Sequence, residues 1–156
     1  MKTLSIGTIF GLFGAVAVSV SFAAQWPTWV MFIAWVSFYI FGKTIKTSLL
    51  AFLQIALGFL MGILIQTCGT FLAGYIAELG LAVAVFFFIG SLPYITKIKM
   101  LNNIPAVFLG LIIFFGVHPK IAPMPIFELS IPIIAGFIFA ALNDWAVQSV
   151  MKKQVA

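Results

Sequence analysis

The sequence predicts an all-α, polytopic membrane protein, and three observations carry that prediction. Only 7% of the 156 residues are charged and 64% are hydrophobic, whereas a soluble domain carries about 25% charged residues. Mean hydropathy is +1.27, so lipid must be the solvent for most of the chain. The apolar residues fall in runs near the roughly 20 residues that cross a bilayer as a helix. There is room for about six such helices in a single integral membrane domain spanning 1–156.

The first helix is expected at about 4–24. Lys2, an apolar core and Ser21-Phe22-Ala23 before Ala24 also make a passable export signal. Against removal, Gly7, Gly11 and Gly14 place small residues at helical spacing, a face suited to close helix packing. We therefore expect a retained helix. The second, about 26–42, has Pro27 and Thr28 at its start, where a missing N–H costs nothing. Its Trp26 and Trp29 suit a membrane interface. The third, about 47–73, contains Gly58 and Gly62, a G-x-x-x-G pair. Residues 74–80 read as a turn. The fourth helix, about 81–96, carries Phe86, Phe87 and Phe88 in succession, so its phenyls point all round and reach lipid. The fifth, about 101–117, has Pro105 near its start. Pro119, Pro123 and Pro125 predict a loop over 118–125. The sixth helix is expected at about 126–151, with Gly136 and Ala140 as a second small-residue pair.

The lysines orient the chain. With six crossings, Lys2, Lys43, Lys46, Lys97, Lys99, Lys152 and Lys153 fall on one side and only Lys120 on the other. Positive charge in short loops marks the cytoplasmic side, so both termini are expected there. The same pattern argues against nucleic acid as a partner. The lysines stand singly or in pairs at the ends of apolar runs rather than along one basic face, and there is no arginine.

Three helices plus three helices make two halves of opposite orientation. Helices two and five share a plan: proline near the start, a short aromatic run, Phe-Gly near the end, then lysine. Helices three and six align when Gly58-Phe59 is set on Gly136-Phe137. Paired short or proline-interrupted segments mark the pathway in inverted-repeat transporters. Two readings stay open here. The two short segments are broken helices facing a pathway, or they are plain spans.

The polar inventory is thin. Pathway or solute-binding candidates are Asn102, Asn103, Pro105, Ala106, Gly110, Pro27, Thr28, Gln54 and Gln66. Asn102 and Asn103 also suit a helix N-cap, and the glutamines suit interhelical hydrogen bonds. Charge candidates are His118, Lys120 and Glu128, as a vestibule or a loop ion pair, and Asp144 beside Asn143 and Trp145. A carboxylate within a span is costly and is a functional hypothesis by default. Cys68 is the one cysteine, so it forms no intrachain disulfide. There is no G-x-S-x-G, H-E-x-x-H, Walker A or Cys/His metal pair. No enzyme activity, metal or cofactor is expected.

Gly11 to Ser19 (G-L-F-G-A-V-A-V-S), the Trp-Pro-x-Trp at Trp26 to Trp29, and Pro105 to Gly116 (P-A-V-F-L-G-L-I-I-F-F-G) carry a likeness. On these residues the chain resembles a family of small bacterial inner-membrane proteins, catalogued as the domain of unknown function numbered 1097. The resemblance implies a polytopic bacterial inner-membrane protein and brings no activity with it. The function expected from the residues is a passive channel or facilitator for a small neutral or weakly charged solute, as a homo-oligomer in the lipid bilayer. The alternative is a non-transporting accessory, scaffold or lipid-interacting protein.

Overall fold

A computed structural model describes residues 2–153. The side chains of Lys2 and Lys153, counted above among the flanking lysines, lie outside the described residues. The described residues are helical throughout, with no strand among them: α1 (Lys2–Ala23), α2 (Thr28–Phe41), α3 (Ile45–Ile76), α4 (Leu79–Gly90), α5 (Leu92–Ile95), α6 (Ile104–Val117) and α7 (Pro123–Lys153), with a 3-10 turn at Lys99–Leu101. Three of them, Thr3–Ala23, Ile45–Ile76 and Pro123–Lys152, are long and apolar enough to cross a membrane. The chain is a helical membrane protein.

Several boundaries differ from those expected. α3 runs on to Ile76 and α4 begins at Leu79, so the turn shrinks to residues 77–78. Ala77, at φ 50°, makes the reversal. The fourth helix breaks after Gly90, because Pro93 lacks the N–H that would continue the ladder. The proline loop is also shorter than expected. α7 starts at Pro123, since Pro123 and Pro125 occupy a first turn where N–H groups have no helical partner. Pro132 lies buried inside α7 without ending it.

α2 and α6 are each 14 residues, about 21 Å at 1.5 Å per residue. The hydrocarbon core is about 30 Å thick. Their ends explain their shortness. Pro27 caps α2 in an extended conformation, and Gly42 ends it at φ 114°, a geometry open to glycine. Asn103 caps α6 through its side chain, accepting a long 3.4 Å bond from Ala106 N. His118 ends α6 in the left-handed region, with its N–H donating to the Phe114 carbonyl.

The described residues form two compact units. The first is Met1–Ser48 with Pro123–Ala156, and the second is Leu49–Ala122. In the first unit α2 packs on α7, and α1 packs on both through Ala17 and Ser21, which have no exposed surface. α2 and α7 meet at Gly136, where an added Cβ would overlap the Met31 carbonyl oxygen and stand 2.8 Å from Ala34 Cβ. In the second unit α6 lies against α3. An added Cβ at Gly58 would overlap the Val107 carbonyl oxygen, and one at Gly110 the Ile55 carbonyl oxygen. The G-x-x-x-G pair is thus used within the chain, Gly58 on the α6 backbone and Gly62 on the Phe114 ring. Met61, Ile65, Ala84, Leu92, Val107 and Leu111 form this unit's buried cluster.

The two units repeat one packing pattern. Setting Thr28 on Ile104 also sets Phe41 on Val117, the last residues of α2 and α6. In that register all six buried residues of α2 (Val30, Met31, Ala34, Trp35, Ser37, Phe38) fall on all six of α6 (Ala106, Val107, Gly110, Leu111, Ile113, Phe114). Setting Gly58 on Gly136, the register read from the sequence, puts seven of the nine buried residues of α3 on buried residues of α7. Among them Ile55 falls on Ile133, Phe59 on Phe137 and Gly62 on Ala140. The packing partners are exchanged between the halves, α2 with α7 and α6 with α3.

Candidate functional site

The polar residues of the first unit gather where the C-terminal end of α2 meets α7. Tyr39 is on the last turn of α2, and Lys43 follows the Gly42 cap. Asn143 and Asp144 are adjacent on α7, and Gln148 follows Asp144 by one turn. The Tyr39 hydroxyl donates to Asn143 Oδ1 at 2.8 Å. The Lys43 ammonium donates to Asp144 Oδ1 at 2.8 Å and lies 4.6 Å from the centroid of the Tyr39 ring. Gln148 Nε2 donates to Asp144 Oδ2 at 2.6 Å. Both carboxylate oxygens are therefore held.

Burial grades along the cluster. The Lys43 side chain is 47% exposed and that of Asp144 10%, while Asn143 has no exposed surface. Asn143 Nδ2 has no acceptor among the described residues. Turning the amide over would exchange an orphan donor for an orphan acceptor, so one end is unpartnered either way. Such a buried group costs about 1–3 kcal/mol. Aromatic rings pair on the same two helices. Trp35 stacks on Phe139 at 6.2 Å, and Phe38 meets Tyr39 edge-on at 5.5 Å.

The residues singled out from sequence divide as follows. Asp144 is in the cluster, paired with Lys43. Thr28 is the first residue of α2, with its hydroxyl 2.6 Å from that of Ser21 on α1, and Pro27 is the α2 cap. Gln54, buried on α3, donates to the Met100 carbonyl at 2.8 Å. It ties the 3-10 turn that leads into α6. Gln66, Asn102 and Pro105 are exposed. Asn103 supplies the cap. Ala106 and Gly110 face α3 in closed contact, so a bulky residue at Gly110 drives the helices apart. His118 ends α6, Lys120 is exposed in the following loop, and Glu128 is exposed on α7. Glu128 and Asp144 stand 16 residues apart on one helix, about 24 Å, too far to share a pocket. No group of three or more His, Cys, Asp or Glu able to hold a metal occurs among the described residues.

Sequence reading singled out Asp144 but not Tyr39, Lys43 or Gln148, and it gave Asn143 only as a neighbour. An Asn-Asp pair inside an apolar run was the available signal. Its partners lie about a hundred residues earlier in the chain, and no spacing rule joins them.

No curated protein and no solved structure matches the chain. A family model described as "Protein of unknown function (DUF1097)" matches residues 4–148. That match takes in all of α2 to α6, nearly all of α1 and most of α7, including every residue of the polar cluster, and the chain belongs to the DUF1097 family.

Proposed function

We propose that the protein is a passive facilitator for a small neutral or weakly charged solute in a bacterial inner membrane, with both termini cytoplasmic. The observation that carries this reading is the doubled plan of a short helix on a long one. Each unit sets a 14-residue helix, too short for the bilayer core, backbone-to-backbone on a long helix at a glycine. As read from the sequence, six crossings with cytoplasmic lysines would give the two sequence halves opposite orientation. Inverted halves with short segments in corresponding places are a plan by which transport proteins build a pathway. Asp144 is the one buried carboxylate among the described residues, and its oxygens are held by Lys43 and Gln148. A free carboxylate relay of the kind used by proton-coupled carriers has no counterpart there, which favours uncoupled movement. The glycine face of α1 supports a homo-oligomer, since a Cβ at Gly7, Gly11 or Gly14 would meet nothing within 4 Å.

The test is flux through purified protein in liposomes, read by stopped-flow light scattering for urea, acetamide, ammonia and glycerol and by a trapped pH dye for formate and acetate. At least one solute should equilibrate faster than in empty liposomes, without dependence on a proton gradient. No acceleration across the panel would refute the reading and favour an accessory or scaffold role.

A further inference from the structure

We propose that the buried amide of Asn143 is the hydrogen-bond donor that receives a small uncharged solute by its oxygen, a primary amide or urea being the class that fits. The inference names the solute for the facilitator reading and rests on it for transport, but not for binding.

Two independent observations meet at this residue. The first is the orphan Nδ2, fully buried and without an acceptor among the described residues. The second comes from the repeated packing pattern. In the registers that superpose the buried positions, Asn143 falls on Ile65 and Tyr39 on Phe115, while Asp144, Gln148 and Lys43 fall on Gln66, Thr70 and Pro119. Ile65 and Phe115 belong to the apolar cluster of the second unit. At the matched positions the second unit therefore places two apolar residues in one packed cluster, and the repeated pattern does not require polar ones. Holding Tyr39 and Asn143 in its place, with a donor left over, is a cost that packing does not explain.

The chemistry of the cluster selects the ligand. Nδ2 offers N–H and needs an acceptor. The Tyr39 oxygen keeps acceptor capacity while its proton is donated to Oδ1, so it can take an N–H from the same solute. The nearby charges, Lys43 and Asp144, cancel at 2.8 Å, so neither cations nor anions gain a net attraction. A carbonyl compound bearing N–H groups meets both needs. Access runs past Tyr39, which is partly exposed and lies under the half-exposed Lys43 ammonium. Rotation of the Tyr39 ring is the step that opens the amide.

The decisive variant is the double substitution Tyr39→Phe with Asn143→Ile, which gives the first unit the pair that the second already uses. It should fold with an unchanged or higher melting temperature and lose urea and acetamide flux by about tenfold, the weight of one hydrogen bond of about 1.4 kcal/mol. A folded double variant with undiminished flux would overturn the inference and leave the facilitator reading standing. Binding is read separately on the unaltered protein. Its three asparagines, Asn102, Asn103 and Asn143, give a simple side-chain amide spectrum under selective isotope labelling, and the Asn143→Ile variant assigns the third signal. Acetamide should shift that signal progressively, and sodium acetate should do so far less. No shift up to molar acetamide would overturn the proposal whatever the flux. A shift in a protein without flux would support this site and refute transport.

Discussion

Gly110→Ala is the smallest change that tests the packing on which the doubled plan rests. An added Cβ there would overlap the Ile55 carbonyl oxygen and stand 2.8 Å from Phe59 N and 2.9 Å from Gly58 Cα. All three neighbours are backbone, so no rotamer change relieves the contact and α6 must move off α3. Lifting a helix by even 0.5–1 Å forfeits a quarter to a half of each dispersion contact it makes. The contacts at risk include the edge-on Phe59–Phe114 pair at 5.3 Å. The upper end of the overpacking range is about 3 kcal/mol, and alanine returns about 1 kcal/mol of helix propensity. A net loss of about 2 kcal/mol follows. Gly7→Ala on α1 is the control, because it gains the same propensity and meets nothing within 4 Å. Reversible unfolding in mixed micelles, followed by far-UV circular dichroism, compares the two. Gly136→Ala extends the test to the first unit, which holds all four tryptophans, Trp26, Trp29, Trp35 and Trp145, so fluorescence reports it directly. Equal midpoints for Gly110→Ala and Gly7→Ala would refute the close approach of α6 and α3.

Other expectations follow from the same contacts. Lys43→Met should destabilise more than Asp144→Asn, by about 2 against about 1 kcal/mol in the same unfolding assay, because it strands a largely buried carboxylate whereas the half-exposed ammonium can turn to water. Tyr39→Phe alone leaves both ends of the Asn143 amide unpaired and should cost about 1–3 kcal/mol; adding Asn143→Ile should restore the melting temperature. In a Cys68→Ala background, cysteines placed at Lys43, Lys97 and Lys152 should react with an impermeant maleimide from the cytoplasmic face and one at Lys120 from the opposite face. Refolding should bury Cys68, in the contiguous second unit, before the tryptophan emission of the first unit reaches its native value; pulsed alkylation against fluorescence gives the order.

Much of the fold was legible because lipid imposes a simple rule on composition. The charged fraction alone excluded a soluble surface, and runs cut by Lys, Pro and Gly located six helical segments. Their ends were less legible. Pro123 and Pro125 read as loop residues, yet in a first turn their missing N–H groups are no loss, and α7 begins there. Gly74 and Gly80 read as turn residues, yet Gly80 is inside α4 because a side chain would strike the backbone at Ala73. In both cases a local preference was overridden by a neighbour that the local sequence does not name.

The repeat and the polar cluster show the same limit at longer range. The register of Gly58-Phe59 on Gly136-Phe137 was readable, because small and aromatic residues at equal spacing leave a trace even in a very apolar chain. The exchange of partners was not. Nothing in α2 says that it will pack on α7, and Tyr39 had no visible mate until that contact brought Asn143 beside it. Yet the exchange is what gives the cluster its meaning. Because each unit contains one short helix packed on one long helix with the same buried frame, the second unit serves as an internal control for the first. Where the two frames agree, as at Ile55 and Ile133 or Phe59 and Phe137, packing is a sufficient reason for the residue. Where they disagree in polarity at a matched position, as Ile65 does with Asn143, packing has been satisfied once without the polar group. What remains to explain at Asn143 is chemistry, and its unpartnered amide is where that chemistry acts.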